Sequence, residues 1–404
     1  MKYVVILADG MADYPIAELG GKTPAQAAFK PEIDRLAAYG EVGMVLTIPT
    51  GMTPGSDTAN LAVMGYDPAV YYTGRSPFEA VSIGIELADD DVAFRTNVVT
   101  LSEDEPYGKK TMLDHSADEI TSAEARILME EVNKRLGTPE FTFYPGVSYR
   151  HILIWNKAPY DYRLTPPHDI IGREIGEYLP GGPYGRIFLK MMEESSSFLK
   201  DHPVNRDRIA RGLRPANSIW IWGEGKRPAL SDFYEKYQLK GSVISAVDLI
   251  KGLGICAGLR SIDVEGATGN IHTNFAGKAQ AAVNELKDGQ DFVYVHLEAP
   301  DECGHRFEME NKVKSIEYID SQVVKPIIEG LEKMGEDYSL MLLPDHPTPL
   351  ALRTHTAEPV PYLIYRSTAP KASPGQVYDE FYPSKTGNYY AEGYRLMDHF
   401  LQDR

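Results

Sequence analysis

The sequence predicts an α/β protein: a parallel-sheet domain that carries the chemistry, with a second, smaller α+β domain inserted into it. Three observations predict this. Short apolar runs alternate with helical periodicity at both ends of the 404-residue chain, the pattern of strand–helix–strand units. Those strands end in acidic residues and histidines, where open α/β sheets bind ligands. Between them the pattern changes, and arginine, histidine and proline become frequent. Residues 1–88 and 215–404 are therefore assigned to one discontinuous domain, and residues 89–214 to the insert.

Residues 3–8 are continuously apolar and β-branched in the middle, as suits a strand buried on both faces. From Pro31 to Tyr39, the residues Ile33, Leu36 and Ala37 fall at helical spacing, with Pro31 in the first turn and Gly40 as the stop. Val42 to Ile48 reads as a second strand. In the insert, Thr96–Leu101 and His151–Trp155 read as short strands. Later strands are expected from Asp291 to Leu297, from Tyr338 to Leu343 and from Val360 to Tyr365. Asn311 to Met334 reads as a long helix with Val313, Ile316, Ile319, Val323, Ile327 and Leu331 on one side, kinked at Pro326.

The bulk composition narrows the function. A hydrophobic fraction of 43% and a charged fraction of 25% are those of a globular protein. A formal net charge of −17 argues against nucleic acid or an anionic membrane as partner. It leaves room for a small anionic substrate held by local arginines and metals. Cys256 and Cys303 are the two cysteines; that excludes a disulfide framework and points to the cytoplasm. No apolar run approaches the ~20 residues of a membrane span, and the run ending at Asp9-Gly10 lacks the form of a signal peptide. The sequence carries no signal for an oligomeric state.

Candidate chemistry sits at the strand ends. Asp9 follows the first strand, Asp301 and His305 follow a later one, and Asp345-His346 follow the next, with His355 nearby. Mixed carboxylate and imidazole donors suit a transition metal better than Ca²⁺. The i, i+4 spacing puts Asp301 and His305 on one side of a helical turn. Adjacent Asp345 and His346 should point different ways on an extended backbone, beside a pair of ions. Any one of these residues alone reads equally well as a cap or turn former; four such clusters together do not. Ser56 lies in Thr53-Pro54-Gly55-Ser56-Asp57-Thr58-Ala59-Asn60, which opens a helix. Backbone N–H groups there favour an anion, and a metal-activated serine there is a nucleophile. No P-loop and no Gly-x-Ser-x-Gly elbow occurs.

Together these motifs resemble the alkaline phosphatase superfamily, and within it the archaeal-type, cofactor-independent phosphoglycerate mutases. Asp9-Gly10, Pro54 to Asn60, Pro300-Asp301-x-x-Gly304-His305, Asp345-His346 and His355-Thr356-x-x-Pro359 carry the likeness, with Lys22-Thr23-Pro24 and Pro31-x-x-Asp34. The resemblance spans nearly the whole chain. It implies an alkaline-phosphatase-like metal domain and two divalent ions, usually Mn²⁺, with Zn²⁺, Co²⁺ or Mg²⁺ as alternatives. One ion would be held by Asp301, His305 and His355, and the other by Asp9, Ser56, Asp345 and His346. Ser56 would carry the phosphoryl group as 3-phosphoglycerate and 2-phosphoglycerate interconvert. In the insert, Arg95, Asn97, Arg150, His151, His168 and Asp169 match the positions that orient substrate. Two segments depart from the family. Trp220-Ile221-Trp222-Gly223 stands where an arginine is usual and resembles a bacterial branch proposed to act as a homoserine kinase. Asp114-His115-Ser116 stands where an arginine pair is usual. The alternatives are therefore a phosphotransferase of the same machinery, homoserine kinase-like, or a phosphatase.

Overall fold

The first apolar run forms β1 (Lys2–Ala8), every residue of it buried. In the computed structural model, which describes residues 1–402, the chain divides into two compact units. One comprises Met1–Tyr72 with Ala229–Arg404, the other Thr73–Pro228.

The first unit is built on one sheet. Its strands are β1, β2 (Glu41–Val45), β8 (Gly241–Ile244), β9 (Arg260–Ile262), β10 (Phe292–Leu297), β11 (Tyr338–Leu343), β12 (Val360–Arg366) and β13 (Tyr389–Tyr390). Their order is β13-β2-β12-β11-β1-β10-β8-β9. β1 lies between β10 and β11, parallel to both. That puts Asp9 centrally, beside the ends of two neighbours. The sheet is mainly parallel, as the sequence predicts, but β12 runs against both β11 and β2. The reason is connectivity. No crossover helix separates β11 from β12, and a parallel return requires one or a comparably long excursion. The core beneath the sheet gathers Val4, Ile6, Val293, Val295, Leu340 and Leu342 against Ile33, Leu36, Ala282, Ile316 and Ile327 from the helices.

The expected long helix is present, but its middle is a π-turn. Met309–Tyr318 is α-helical, Ile319–Val324 is π-helical and Lys325–Met334 is α-helical. The Lys325 N–H bonds back to the Asp320 carbonyl. Pro326 has no N–H to give and its ring crowds the preceding turn, so the wider turn falls just before it. The same turn aims Asp320 at the helix Pro31–Tyr39, where its Oδ1 accepts the Ile33 N–H at 2.7 Å. Burial, and after it the neighbouring Glu32 and Asp34, push the Asp320 carboxyl up to about 6. A carboxyl raised in the folded state costs stability once pH exceeds its folded value, and the cost vanishes as pH falls below the unfolded one. Asp320→Asn keeps an acceptor for Ile33 without the charge. It is expected to stabilise the protein by ~1 kcal/mol at about pH 8 and by nothing at about pH 2.5, read as the urea midpoint at each pH.

The second unit carries a five-stranded sheet, β4-β3-β6-β5 with β7 also on β3. These are β3 (Val92–Leu101), β4 (Met112–Asp114), β5 (Phe141–Tyr144), β6 (Arg150–Trp155) and β7 (Ser218–Lys226). All the pairings are antiparallel. The unit's limits fall at Tyr72/Thr73 and Pro228/Ala229, not at 88/89 and 214/215. β7 pairs with β3 along most of its length, and Ala80 of the helix Ser76–Ser82 packs on Ala93, Ile152 and Ile154. Both segments therefore belong to this unit's core.

Candidate metal centre

Three strand ends and one helix start supply the side chains. Asp9 follows β1, and its N–H bonds to the Leu297 carbonyl at the end of β10. Gly10 follows at φ +63°, where a Cβ would lie 2.6 Å from both the Asp301 backbone and Thr348 Oγ1; glycine is required there by conformation and by space. Asp301 and His305 lie one turn apart on the helix Ala299–Arg306. Asp345 and His346 follow β11, and Ser56 is the first residue of the helix Ser56–Val63.

The seven candidate residues come together. Asp9, Asp345 and His346 offer ligand atoms all within 4.8 Å of one another, as do Asp301, His346 and His355. His346 Nε2 lies 3.4 Å from Asp345 Oδ2 and 3.6 Å from Asp9 Oδ1. Ser56 Oγ lies 3.2 Å from the same nitrogen. His305 Nε2 lies 2.9 Å from His355 Nε2 and 3.3 Å from Asp301 Oδ2. His346 thus belongs to both groups, whereas the resemblance placed it in one. The backbone bends at Asp345 and His346, so they converge where an extended backbone would have parted them.

The electrostatics are those of a site built for cations. Burial, then Asp345, Asp301 and Glu298, push the Asp9 carboxyl well above the usual carboxylate range. Burial works against the charge of Asp301 too, but hydrogen bonds with His305 and His355 hold it well below that range. The same Asp301 pushes His305 up to about 9. Asp9 Oδ1 is buried with no hydrogen-bond partner, and an orphaned carboxylate oxygen is costly unless a cation meets it. The ring nitrogens away from the centre are engaged: His305 Nδ1 donates to the Arg353 carbonyl at 3.0 Å, and His346 Nδ1 lies 3.2 Å from Thr348 Oγ1. That leaves each Nε2 aimed inward, as metal-binding histidines are held. The residues fit two divalent cations with mixed oxygen and nitrogen donors.

In the second unit, Arg95, Asn97 and Arg150 share one face, since Asn97 pairs directly with Arg150 across β3 and β6. Arg95 packs over Trp222 at 4.6 Å and pairs with half-buried Glu79 at 3.0 Å. Asn97 accepts from Trp222 Nε1 at 2.9 Å. His168 stacks edge-on to Trp222 at 5.3 Å, and exposed Asp169 lies 3.6 Å from it. His151 is not brought to this face. It is 1% exposed and its Nδ1 accepts the Gly146 N–H. Successive strand residues point to opposite faces, so Arg150 and His151 cannot serve one site. Burial also pulls His151 down to about 3, and it stays a neutral core histidine.

A family model described as 2,3-bisphosphoglycerate-independent phosphoglycerate mutase matches residues 37–205. The enzyme of that name from Methanothrix thermoacetophila is 50% identical over 397 residues, covering 98% of each chain. This chain belongs to the 2,3-bisphosphoglycerate-independent phosphoglycerate mutase family. The Methanosarcina barkeri family member is 49% identical over 94% of each chain. Among solved structures, a Pyrococcus horikoshii protein superposes with a TM-score of 0.81 at 29% identity, covering 99% of this chain and 97% of that one. The cofactor-independent phosphoglycerate mutase of Thermoplasma acidophilum gives 0.67 at 27% identity, covering 100% and 99%.

This family member also has polar groups around the centre that the sequence reading did not single out. Thr348 Oγ1 donates to Asp301 Oδ1. His296 Nε2 lies 2.9 Å from Asp9 Oδ2, and Asn60 Nδ2 donates to Asp345 Oδ2 at 2.9 Å. Asn60 had a signal, one helical turn after Ser56 in the same motif. His296 had none beyond being a lone histidine in an apolar strand.

Proposed function

We propose that this chain is a cytoplasmic, metal-dependent phosphoglycerate mutase that needs no bisphosphate cofactor and carries the phosphoryl group on Ser56. One observation supports it above the others: Ser56 Oγ stands 3.2 Å from His346 Nε2, at a helix N-terminus and beside both candidate ligand groups. Asp301, His305 and His355 would hold one divalent ion, and Asp9, Asp345, His346 and Ser56 the other, with Mn²⁺ as the expected metal. When bound, such ions lower the pKa of a hydroxyl and offset charge on a transferring phosphoryl group.

Ser56 Oγ attacks the phosphorus of 3-phosphoglycerate and loses its proton. The bond from phosphorus to the substrate's 3-oxygen breaks, and that oxygen keeps the electron pair and takes up a proton. The phosphoserine stands at the start of the helix Ser56–Val63, where free N–H groups favour its charge. The 2-hydroxyl of the retained glycerate then attacks the phosphorus and loses its proton; the bond from phosphorus to Ser56 Oγ breaks, and Oγ keeps the electron pair and takes up a proton. Arg95, Asn97, Arg150, His168 and Asp169 orient the glycerate carboxylate and hydroxyls. Trp222 packs over Arg95 at 4.6 Å and holds its guanidinium in place.

The test is an assay of Mn²⁺-loaded protein with 3-phosphoglycerate, coupled to enolase, beside homoserine with a phosphoryl donor and beside a phosphate-release assay. Formation of 2-phosphoglycerate is expected, with the other two arms near blank. Homoserine phosphate, or inorganic phosphate as the main product, overturns the proposal. Arg150→Ala should lower kcat/KM by about 10–100-fold, the worth of one hydrogen bond to a charged group, while His151→Gln should leave it within about twofold.

A further inference from the structure

β10 has a feature the proposed chemistry does not use. Two of its buried side chains, Tyr294 and His296, are two residues apart and so project from the same face. Tyr294 Oη donates to Asn60 Oδ1 at 2.6 Å. Asn60 Nδ2 in turn donates to Asp345 Oδ2 at 2.9 Å and to the Ser56 carbonyl at 2.8 Å. Both of those partners are acceptors, so the orientation of the amide is fixed by its surroundings. One rung further, His296 Nε2 meets Asp9 Oδ2 at 2.9 Å, and its Nδ1 meets Ser245 Oγ at 3.1 Å. The Lys278 ammonium, fully buried, holds the His296 carbonyl at 2.9 Å. Asp301 is secured by other groups, namely Thr348, His305 and His355.

We infer that Tyr294 and His296 form a two-rung positioning ladder that sets the Asp9/Asp345 ion site selectively and ties it to the nucleophile through Asn60. The inference rests on the two-metal reading above. Its physical basis is the division of oxygens on each carboxylate. His296 occupies Asp9 Oδ2 and leaves Oδ1 bare. Asn60 occupies Asp345 Oδ2, while Asp345 Oδ1 accepts the Gly10 and His346 N–H groups. Each carboxylate is therefore locked in rotation before any ion arrives. Because Asn60 also grips the Ser56 carbonyl, a shift of Asp345 and a shift of the attacking serine are one movement. Loss of such supporting groups typically weakens metal binding ~10–100-fold.

The test is Mn²⁺ titration calorimetry on chelator-stripped full-length protein, comparing wild type with Tyr294→Phe, His296→Ala and His296→Gln. Thermal melts of the metal-free proteins run alongside. Wild type should bind two equivalents. Tyr294→Phe and His296→Ala should keep one equivalent at wild-type affinity and weaken the other by ~10–100-fold. His296→Gln places an N–H donor at the same bond count from the backbone and should restore most of the loss. Wild-type binding at both sites in Tyr294→Phe and His296→Ala overturns the inference. So does equal weakening of both sites, which would mark a general structural role, and so does a His296→Gln protein that binds no better than His296→Ala. A wild-type protein that takes up fewer than two equivalents defeats the two-metal reading itself, and the inference falls with it.

Discussion

Ser56→Ala is expected to reduce turnover by roughly 10⁴-fold or more, the scale seen when a covalent nucleophile is removed. A neutral serine is a poor nucleophile because almost none of it is ionised near neutral pH; its reactivity must come from its surroundings. Those surroundings survive the substitution. Asp9, Asp345, His346 and Asn60 make their contacts with one another, and Ser56 contributes to that network through its backbone carbonyl, which alanine retains. Ser56 is half-buried at a helix start, and its hydroxyl caps nothing. The change in stability should therefore lie within about 0.5 kcal/mol. Two measurements separate this from a folding defect: an unchanged melting temperature, and loss of the phosphorylated Ser56 peptide that wild type should yield after brief exposure to substrate. A Ser56→Ala protein with a sizeable fraction of wild-type turnover would assign the attack to water or another side chain.

What was legible in the sequence, and what was not, follows from how local the signal is. β1, β10 and β11 are apolar runs broken only by Lys2, His296 and Ser339, because they are buried on both faces, and such runs announce themselves. β8 and β9 are four and three residues long, too short to show a period. The direction of β12 is a matter of connection, not of composition, and a strand's own residues do not encode it. The candidate ligands were legible because carboxylates and histidines at strand ends are conspicuous against apolar runs. The supporting groups were not, because Tyr294 and His296 lie inside an apolar strand and acquire meaning only from Asn60 and Asp9, which are distant in sequence. His151 failed for a different reason. Its neighbour Arg150 is exposed on the opposite face, and assigning both Arg150 and His151 to one substrate site ignored the alternation of a strand. Trp222 belongs to β7, whose pairing with β3 was hidden by a domain boundary drawn three residues before it begins.

His346→Ala should be the most damaging of the three histidine substitutions at the centre. His305 and His355 each border Asp301. His346 alone among them belongs to both candidate ligand groups and also faces Ser56 Oγ. It is fully buried, whereas His305 is 34% exposed and His355 23% exposed, so water can substitute for a lost ligand far more readily at those two positions. Removing His346 withdraws a nitrogen donor from between Asp9, Asp345 and Asp301, and so loosens the cation that offsets the mutual repulsion of three buried carboxylates. If polarisation by a correctly held cation is worth several kcal/mol to phosphoryl transfer, turnover should fall by about 10³-fold or more. His305→Ala should lose less, and raising the Mn²⁺ concentration should recover part of its activity. The measurement is kcat against free Mn²⁺ for the three alanine variants, with metal content after gel filtration. His346→Ala should retain less metal than either of the others and stay inactive at every concentration. If excess Mn²⁺ restores His346→Ala as fully as His305→Ala, His346 is an ordinary ligand of one ion, and the shared position assigned to it between the two groups is wrong.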